Sequence, residues 1–140
     1  MKTVVVDASV VAAAFFPETH TQAAQALLTS GNRLCAPDLI YPELANVIWK
    51  RYRRGDIDAE EAAELLADIM ALSLEITPSE QLVSPALELA IHTGRTAYDC
   101  LYVALAVQGK SVMISNDRRL VNALAAGPLK DHVQWLGGVR

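Results

Sequence analysis

Four carboxylates stand in places that a purely structural acid does not explain. The N-terminal stretch MKTVVVDASV carries an apolar run into Asp7, with the small hydroxyl of Ser9 two residues on; the late stretch SVMISND carries a second run into Asp117 through Ser115 and Asn116. An aspartate at the end of a strand either caps the helix that follows or aims its charge at something bound there. Two such acids on strands of one sheet put like charges on the same rim. Glu43 lies within a helix pattern beside Leu39, Ile40 and Val47, although a structural glutamate prefers the solvated face. In TAYDCLYVALA the i+4 and i+7 neighbours of Asp99 are Val103 and Ala106, so this carboxylate sits on the apolar face of a buried helix. A carboxylate buried there is protonated, bound to a cation or salt-bridged, and Arg95, one turn earlier, is the available partner for a bridge.

Gathered in one pocket, Asp7, Glu43, Asp99 and Asp117 repel one another, and a divalent ion resolves the conflict. Oxygen-only ligation suits Mg²⁺ or Mn²⁺, which bind carboxylates together with substrate phosphates. Such a site activates water for in-line attack on a phosphodiester. Ser9 and Asn116, next to the two strand-end aspartates, are placed to hold a metal-bound water or a phosphate oxygen.

The elements that must position these residues read as an α/β alternation. Residues 3–6 are β-branched and form a buried strand; residues 33–36, ended by Pro37, form a second; and residues 21–30, stopping at Gly31, form the helix between them. Asp38 is expected to cap a helix to Arg54, halted by Gly55, with Leu44, Val47 and Ile48 as its apolar stripe; Asp58 caps the next, 59–72, completing a helical hairpin. Strands at 74–76, 111–115 and 133–136 alternate with helices at 79–92, 97–107 and 118–125. This pattern gives an α/β sandwich with a mostly parallel sheet, whose ligands sit beyond the carboxyl ends of the strands. With 140 residues and no linkers or repeats, one domain spanning 1–140 is expected.

Composition narrows the function. The chain is 52% hydrophobic, but its apolar runs break well before the roughly 18 residues of a membrane helix, and no secretory start is recognised, so a cytoplasmic protein without membrane attachment is expected. Cys35 and Cys100 stand far apart and fit no zinc or CxxC pattern, which leaves reduced, packed thiols. A net charge of -4 gives no overall attraction to a phosphate backbone, so nucleic-acid binding must rest on local charge or metal. There is no P-loop, no GxGxxG and no GxSxG around Ser9.

The order VVVDASV, YPELANVIWK, TAYDCLYVALA and SNDRRL closely resembles PIN domains, specifically the ribonuclease toxins of VapBC toxin-antitoxin pairs. The resemblance covers nearly the whole chain. It implies a PIN-like three-layer α/β/α sandwich and a Mg²⁺- or Mn²⁺-dependent endoribonuclease whose acidic metal site falls on Asp7, Glu43, Asp99 and Asp117, with Ser9 as polar helper. The usual hydroxyl before the last aspartate is Asn116 here, with Ser115 one earlier. The resemblance further implies a homodimer and a small cognate antitoxin lying along a surface groove.

The remaining features have plainer readings beside functional ones. Lys50, Arg51, Arg53 and Arg54 either complement a helix C-terminus or contact RNA, and Arg118 and Arg119 either face solvent or reach a phosphate, so Arg51, Arg54 and Arg118 are the expected RNA contacts. His20, His92 and His132 show no ligand spacing, and Trp49 and Trp135 read as packing residues. Two other functions compete: a PIN-like module without catalysis, acting through protein contacts or as a co-repressor, and a phosphoacceptor domain, which needs a late-strand lysine where Lys110 instead precedes its strand.

Overall fold

β-Branched and apolar runs settle into a five-stranded sheet in the computed structural model, which describes residues 2–139. The strands β1 (Thr3–Val6), β2 (Arg33–Pro37), β3 (Leu74–Thr77), β4 (Val112–Ser115) and β5 (Val133–Trp135) lie in the order β3-β2-β1-β4-β5, and every neighbouring pair is parallel. Val4, Val5 and Val6 are buried, as befits a strand covered on both faces. Val4 pairs with Leu34 on one side and Val112 on the other, which makes β1 the centre of the sheet.

Among the described residues seven α-helices clothe it: α1 (Ala8–Phe15), α2 (Thr21–Leu28), α3 (Ile40–Arg53), α4 (Ala59–Met70), α5 (Val83–Thr93), α6 (Ala97–Gln108) and α7 (Arg118–Ala125). The α6 helix crosses β1, β2 and β4 and carries α5 on its back, while α1 packs on α2 and α3, and α3 on α4. The result is a three-layer α/β/α sandwich. Ile40, Leu44 and Met113 are fully buried in the main core, and Leu82, Ala86, Cys100, Leu101 and Ala104 form a second cluster where α5 meets α6. Cys35 and Cys100 are both free and buried. Asp58 caps α4 in a reciprocal capping box with Glu61.

Four local expectations are corrected. Two helices, not one, connect β1 to β2: α1 starts on the Asp7 cap and stops at Phe16, before Pro17, and its short, nearly all-apolar stretch carries no amphipathic pattern to mark it as a separate helix. Asp38 does not cap α3: the residue before the helix is Leu39, in helical dihedrals (φ -53, ψ -26), and no side chain caps the helix start. The Asp38 carboxylate instead accepts from the Ser79 amide at 3.1 Å and from the Ser79 hydroxyl, tying the end of β2 to the segment after β3. That segment is a short 3₁₀ turn, Ser79–Gln81, with α5 beginning only at Val83. Finally, Trp49 is half exposed, one position off the buried stripe of Ile40, Leu44 and Ile48.

Candidate functional site

The strand order reverses its sense between β1 and β4, and ligands in open parallel sheets bind beyond the carboxyl ends at such a point. Asp7 and Asp117 both lie there. Val6 pairs with Ile114, and the Asp7 amide extends the pairing to the Ile114 carbonyl at 3.4 Å. The Asp7 carboxylate is buried and caps α1, its Oδ1 accepting from the Val10 amide at 3.3 Å and from the Ser9 hydroxyl. Asp117 is exposed and caps α7, accepting from the Leu120 amide at 3.1 Å.

Two hydroxyls clasp these strand ends together. Ser9 Oγ accepts from the Asn116 amide at 2.8 Å and lies 3.3 Å from Ser115 Oγ, which in turn accepts from the Asp117 amide at 3.0 Å. Ser115, fully buried, is therefore the hydroxyl at the heart of this end of the sheet. The Asn116 side chain is engaged elsewhere: His20 Nδ1 donates to its Oδ1 at 3.1 Å, and its Nδ2 donates to Glu18 at 2.9 Å.

Glu43 and Asp99 come from α3 and α6. Glu43 is partly buried in the first turn of α3 and accepts a hydrogen bond from the hydroxyl of Tyr102, a buried residue of α6. Asp99 is partly buried in the first turn of α6, where its backbone amide donates to the Thr96 hydroxyl at 3.1 Å. Arg95 makes no ion pair with Asp99 among the described residues, so a salt bridge does not account for this acid.

Charge at this rim is costly to the chain. Burial pushes the Asp7 carboxyl up to about 6, against hydrogen bonds from Ser115, Ser9 and Val10 that favour its ionised form. Burial also raises Glu43; the Tyr102 hydroxyl opposes this, and the charges of Asp7 and Asp99 add to it. Asp99 is raised by burial first, then by the charge of Asp117, while Thr96 and Arg95 pull it down. Tyr102 is held protonated by burial and by the Glu43 carboxylate beside it. The four acids therefore share one electrostatic neighbourhood, Asp7 and Asp99 acting on Glu43 and Asp117 on Asp99.

An oxygen-only donor set in which Asp7, Glu43 and Asp99 resist ionisation matches a hard divalent cation, which favours their ionised form. Among the described residues no three acids are already gathered tightly enough to hold an ion. Of the basic residues, Arg51 and Arg54 pair with Asp56, at 3.8 and 2.7 Å, and Arg51 also approaches Glu18 at 4.0 Å. Arg118 lies over the Trp135 ring.

Tyr102 and Ser115 were not assigned roles from the sequence. Tyr102 follows Asp99 by three residues and so shares its helix face, a signal hidden by the aromatic-apolar run around it. No local signal marks the contact of His20 with Asn116, which lie 96 positions apart.

Comparison with known proteins agrees with this geometry. A family model described as PIN domain matches residues 4–125. The chain is 33% identical over 124 residues to Ribonuclease VapC3 of Pyrobaculum aerophilum, a span covering 87% of this chain and 95% of that protein. Among solved structures, PAE2754 from Pyrobaculum aerophilum is similar with a TM-score of 0.73 at 23% identity, covering 97% of this chain and 85% of that one. A toxin-antitoxin complex from Klebsiella pneumoniae is similar with a TM-score of 0.65 at 14% identity, covering 94% and 95%. The two structural likenesses carry the fold; the family match and the curated relative carry kinship. By these matches the chain belongs to the PIN-domain family, in its VapC-like branch.

Proposed function

We propose that the protein is a Mg²⁺- or Mn²⁺-dependent endoribonuclease, the toxin of a type II toxin-antitoxin pair. The observation that carries this reading is that Asp7, Glu43 and Asp99, from three different elements, are all held above the usual carboxylate range, Glu43 and Asp99 partly by neighbouring acids. A structural cluster of acids gains nothing from such crowding; a cation site does. The name of the 33% identical relative, a ribonuclease, supports RNA as the substrate.

In this reading Asp7, Glu43, Asp99 and Asp117 hold the ion. Bound there, Mg²⁺ or Mn²⁺ supplies a Lewis acid that neutralises charge on the phosphate and lowers the pKa of water. Tyr102 keeps Glu43 aimed by donating to it, and the Ser9 and Ser115 hydroxyls fix the spacing of the two strand ends. The partner reading rests on two apolar surfaces. A groove of about 320 Å³ between α3 and α4 is lined by Ile48, Trp49, Tyr52, Ala62 and Leu66, and it suits an apolar segment of an antitoxin. Val83, Leu87 and Ile91 form an exposed stripe along α5, which suits a homodimer. No helix among the described residues is long and apolar enough to cross a membrane, and a cytoplasmic site of action fits that.

The test is cleavage of a labelled mixed RNA pool by the purified protein with Mg²⁺ or Mn²⁺, against EDTA and against Asp7→Asn. Metal-dependent cutting that the substitution abolishes is the expected result; cutting that persists in Asp7→Asn or in EDTA overturns it. The second reading, a PIN module that acts only through protein contacts, is favoured by one observation: the acids are not pre-gathered for a metal. Calorimetry that detects no Mn²⁺ binding at millimolar concentration decides for it.

A further inference from the structure

The arginines near this end of the sheet differ in what already holds them. Arg51 is occupied by Glu18, Asp56 and the face of Phe16, its guanidinium carbon 4.6 Å from the ring centroid, and Arg54 by Asp56. Arg118, the residue directly after Asp117, forms no ion pair among the described residues. Its guanidinium carbon instead lies 4.3 Å from the centroid of Trp135.

That indole is itself fixed on two other sides. The backbone of Gly137 lies so close to its six-membered ring that a Cβ at 137 would come within 2.5 Å of Cη2 and Cζ2. The His20 ring meets it edge-on, with centroids 5.0 Å apart and planes at 86°. His20 is bonded to Asn116 and Asn116 to Glu18, so the platform is keyed to the turn that carries Asp117.

We propose that Trp135 is a positioning residue that holds the Arg118 guanidinium at the edge of the acidic site, where it grips the RNA phosphate next to the one being cut. This rests on the ribonuclease reading above. The planar fork of an arginine matches two phosphate oxygens, and a fork already stacked loses less freedom on binding than a free side chain. The need is physical: the site is acidic and the chain carries a net charge of -4, so the substrate's backbone has to be received by a local cation. Trp135 and Gly137 lie beyond residue 125, where the match to the family model stops, while Arg118 and His20 lie within it.

The experiment measures binding of a fluorescent mixed-sequence RNA pool to Asp7→Asn protein across a salt series, with Arg118→Gln, Trp135→Leu, Trp135→Phe and the Arg118→Gln/Trp135→Leu double added. Arg118→Gln and Trp135→Leu are each expected to weaken binding about tenfold, the loss of one charge-assisted contact. Each should also lower the slope of log affinity against log salt by about 0.7, one phosphate on a single strand. The double substitution should cost no more than either single one, and Trp135→Phe, which keeps a ring face, should recover most of the loss. Full affinity in Trp135→Leu, or losses that add, overturns the proposal. Should circular dichroism find Trp135→Leu unfolded, Arg118→Lys decides: it keeps the charge without a planar fork, so an unchanged salt slope with severalfold weaker binding is expected, and unchanged affinity overturns the role. If the unsubstituted protein cuts RNA while every variant binds as the Asp7→Asn protein does, the positioning role fails and the nuclease stands. If the unsubstituted protein neither binds nor cuts the pool, the nuclease reading itself fails and takes this inference with it.

Discussion

Two regions of the molecule go against the ordinary preferences of a folded chain, in opposite ways. At the end of β1 and in the first turns of α3 and α6 the chain places Asp7, Glu43 and Asp99 where burial and, for the latter two, neighbouring charge resist ionisation. Between α3 and α4 it leaves Trp49, Tyr52 and Leu66 facing water. The first region is tightly determined, with Ser9, Ser115, Tyr102 and Thr96 each hydrogen-bonded in place. The second is a groove walled almost entirely by apolar atoms, with only the Trp49 and Tyr52 tips to offer a hydrogen bond. A cation demands geometry to within tenths of an ångström, whereas an apolar partner demands mainly shape and area. The contrast teaches that a surface kept unfavourable in isolation carries, in its degree of order, the kind of ligand it awaits.

The largest expected effect separates the two regions outright. Asp7→Asn should lower metal-dependent RNA cleavage by at least about a hundredfold, the usual scale for losing a group that stabilises transition-state charge, and should leave antitoxin affinity unchanged. Parallel cleavage and partner-binding assays check this, and a loss of both would mean that the two regions are not separate.

Next is the pH dependence of stability. A carboxyl that titrates near 6 in the folded chain rather than at 3.8 means that the folded state holds its proton more tightly than the unfolded state. Stability should therefore fall as pH rises from about 4 to about 6, by on the order of 3 kcal/mol for Asp7, and then level off. The raised Glu43 and Asp99 act in the same sense. Mn²⁺ should restore stability at pH 7.5 and much less at pH 4.5, read as the shift in melting temperature. A metal effect equal at both pH values would count against these acids as ligands.

A smaller effect belongs to the groove. Trp49→Ala should weaken binding of the cognate antitoxin by about thirtyfold, the typical result of deleting an interface tryptophan, while cleavage by the free protein stays as it was. The smallest prediction sharpens the ordered region. Tyr102→Phe leaves a half-buried carboxylate without its donor and should cost about 1 kcal/mol in denaturant unfolding, with Glu43 driven further up.

The parts of the fold that could be read from sequence were those with local signals. The β-branched run before Asp7, the capping pattern at Asp58 and the glycine stops are written in adjacent residues, and they place the strands and most helices within a few positions. The acids were legible because each breaks the pattern of its own element. What escaped is long-range. The apolar α1 helix has no polar face to mark it apart from α2, and the Asp38 carboxylate is drawn from the helix start by Ser79, 41 positions away. The network joining His20, Glu18 and Asn116 has no expression in any one stretch. Tyr102 is an intermediate case, since its spacing from Asp99 was visible but its hydroxyl's target on another helix was not.

The strand order has a consequence for how the protein comes into being. A chain emerging from the ribosome as far as Gln108 already contains β1, β2 and β3, along with Asp7, Glu43 and Asp99. It lacks β4, the strand that pairs with the far side of β1, and with it Ser115 and Asp117. Closing that pairing spans more than a hundred residues, so it is among the last contacts to form. On the proposed reading, a nascent chain that has reached only Gln108 lacks one of its four metal-holding acids, and its chemistry waits for β4 to join the sheet.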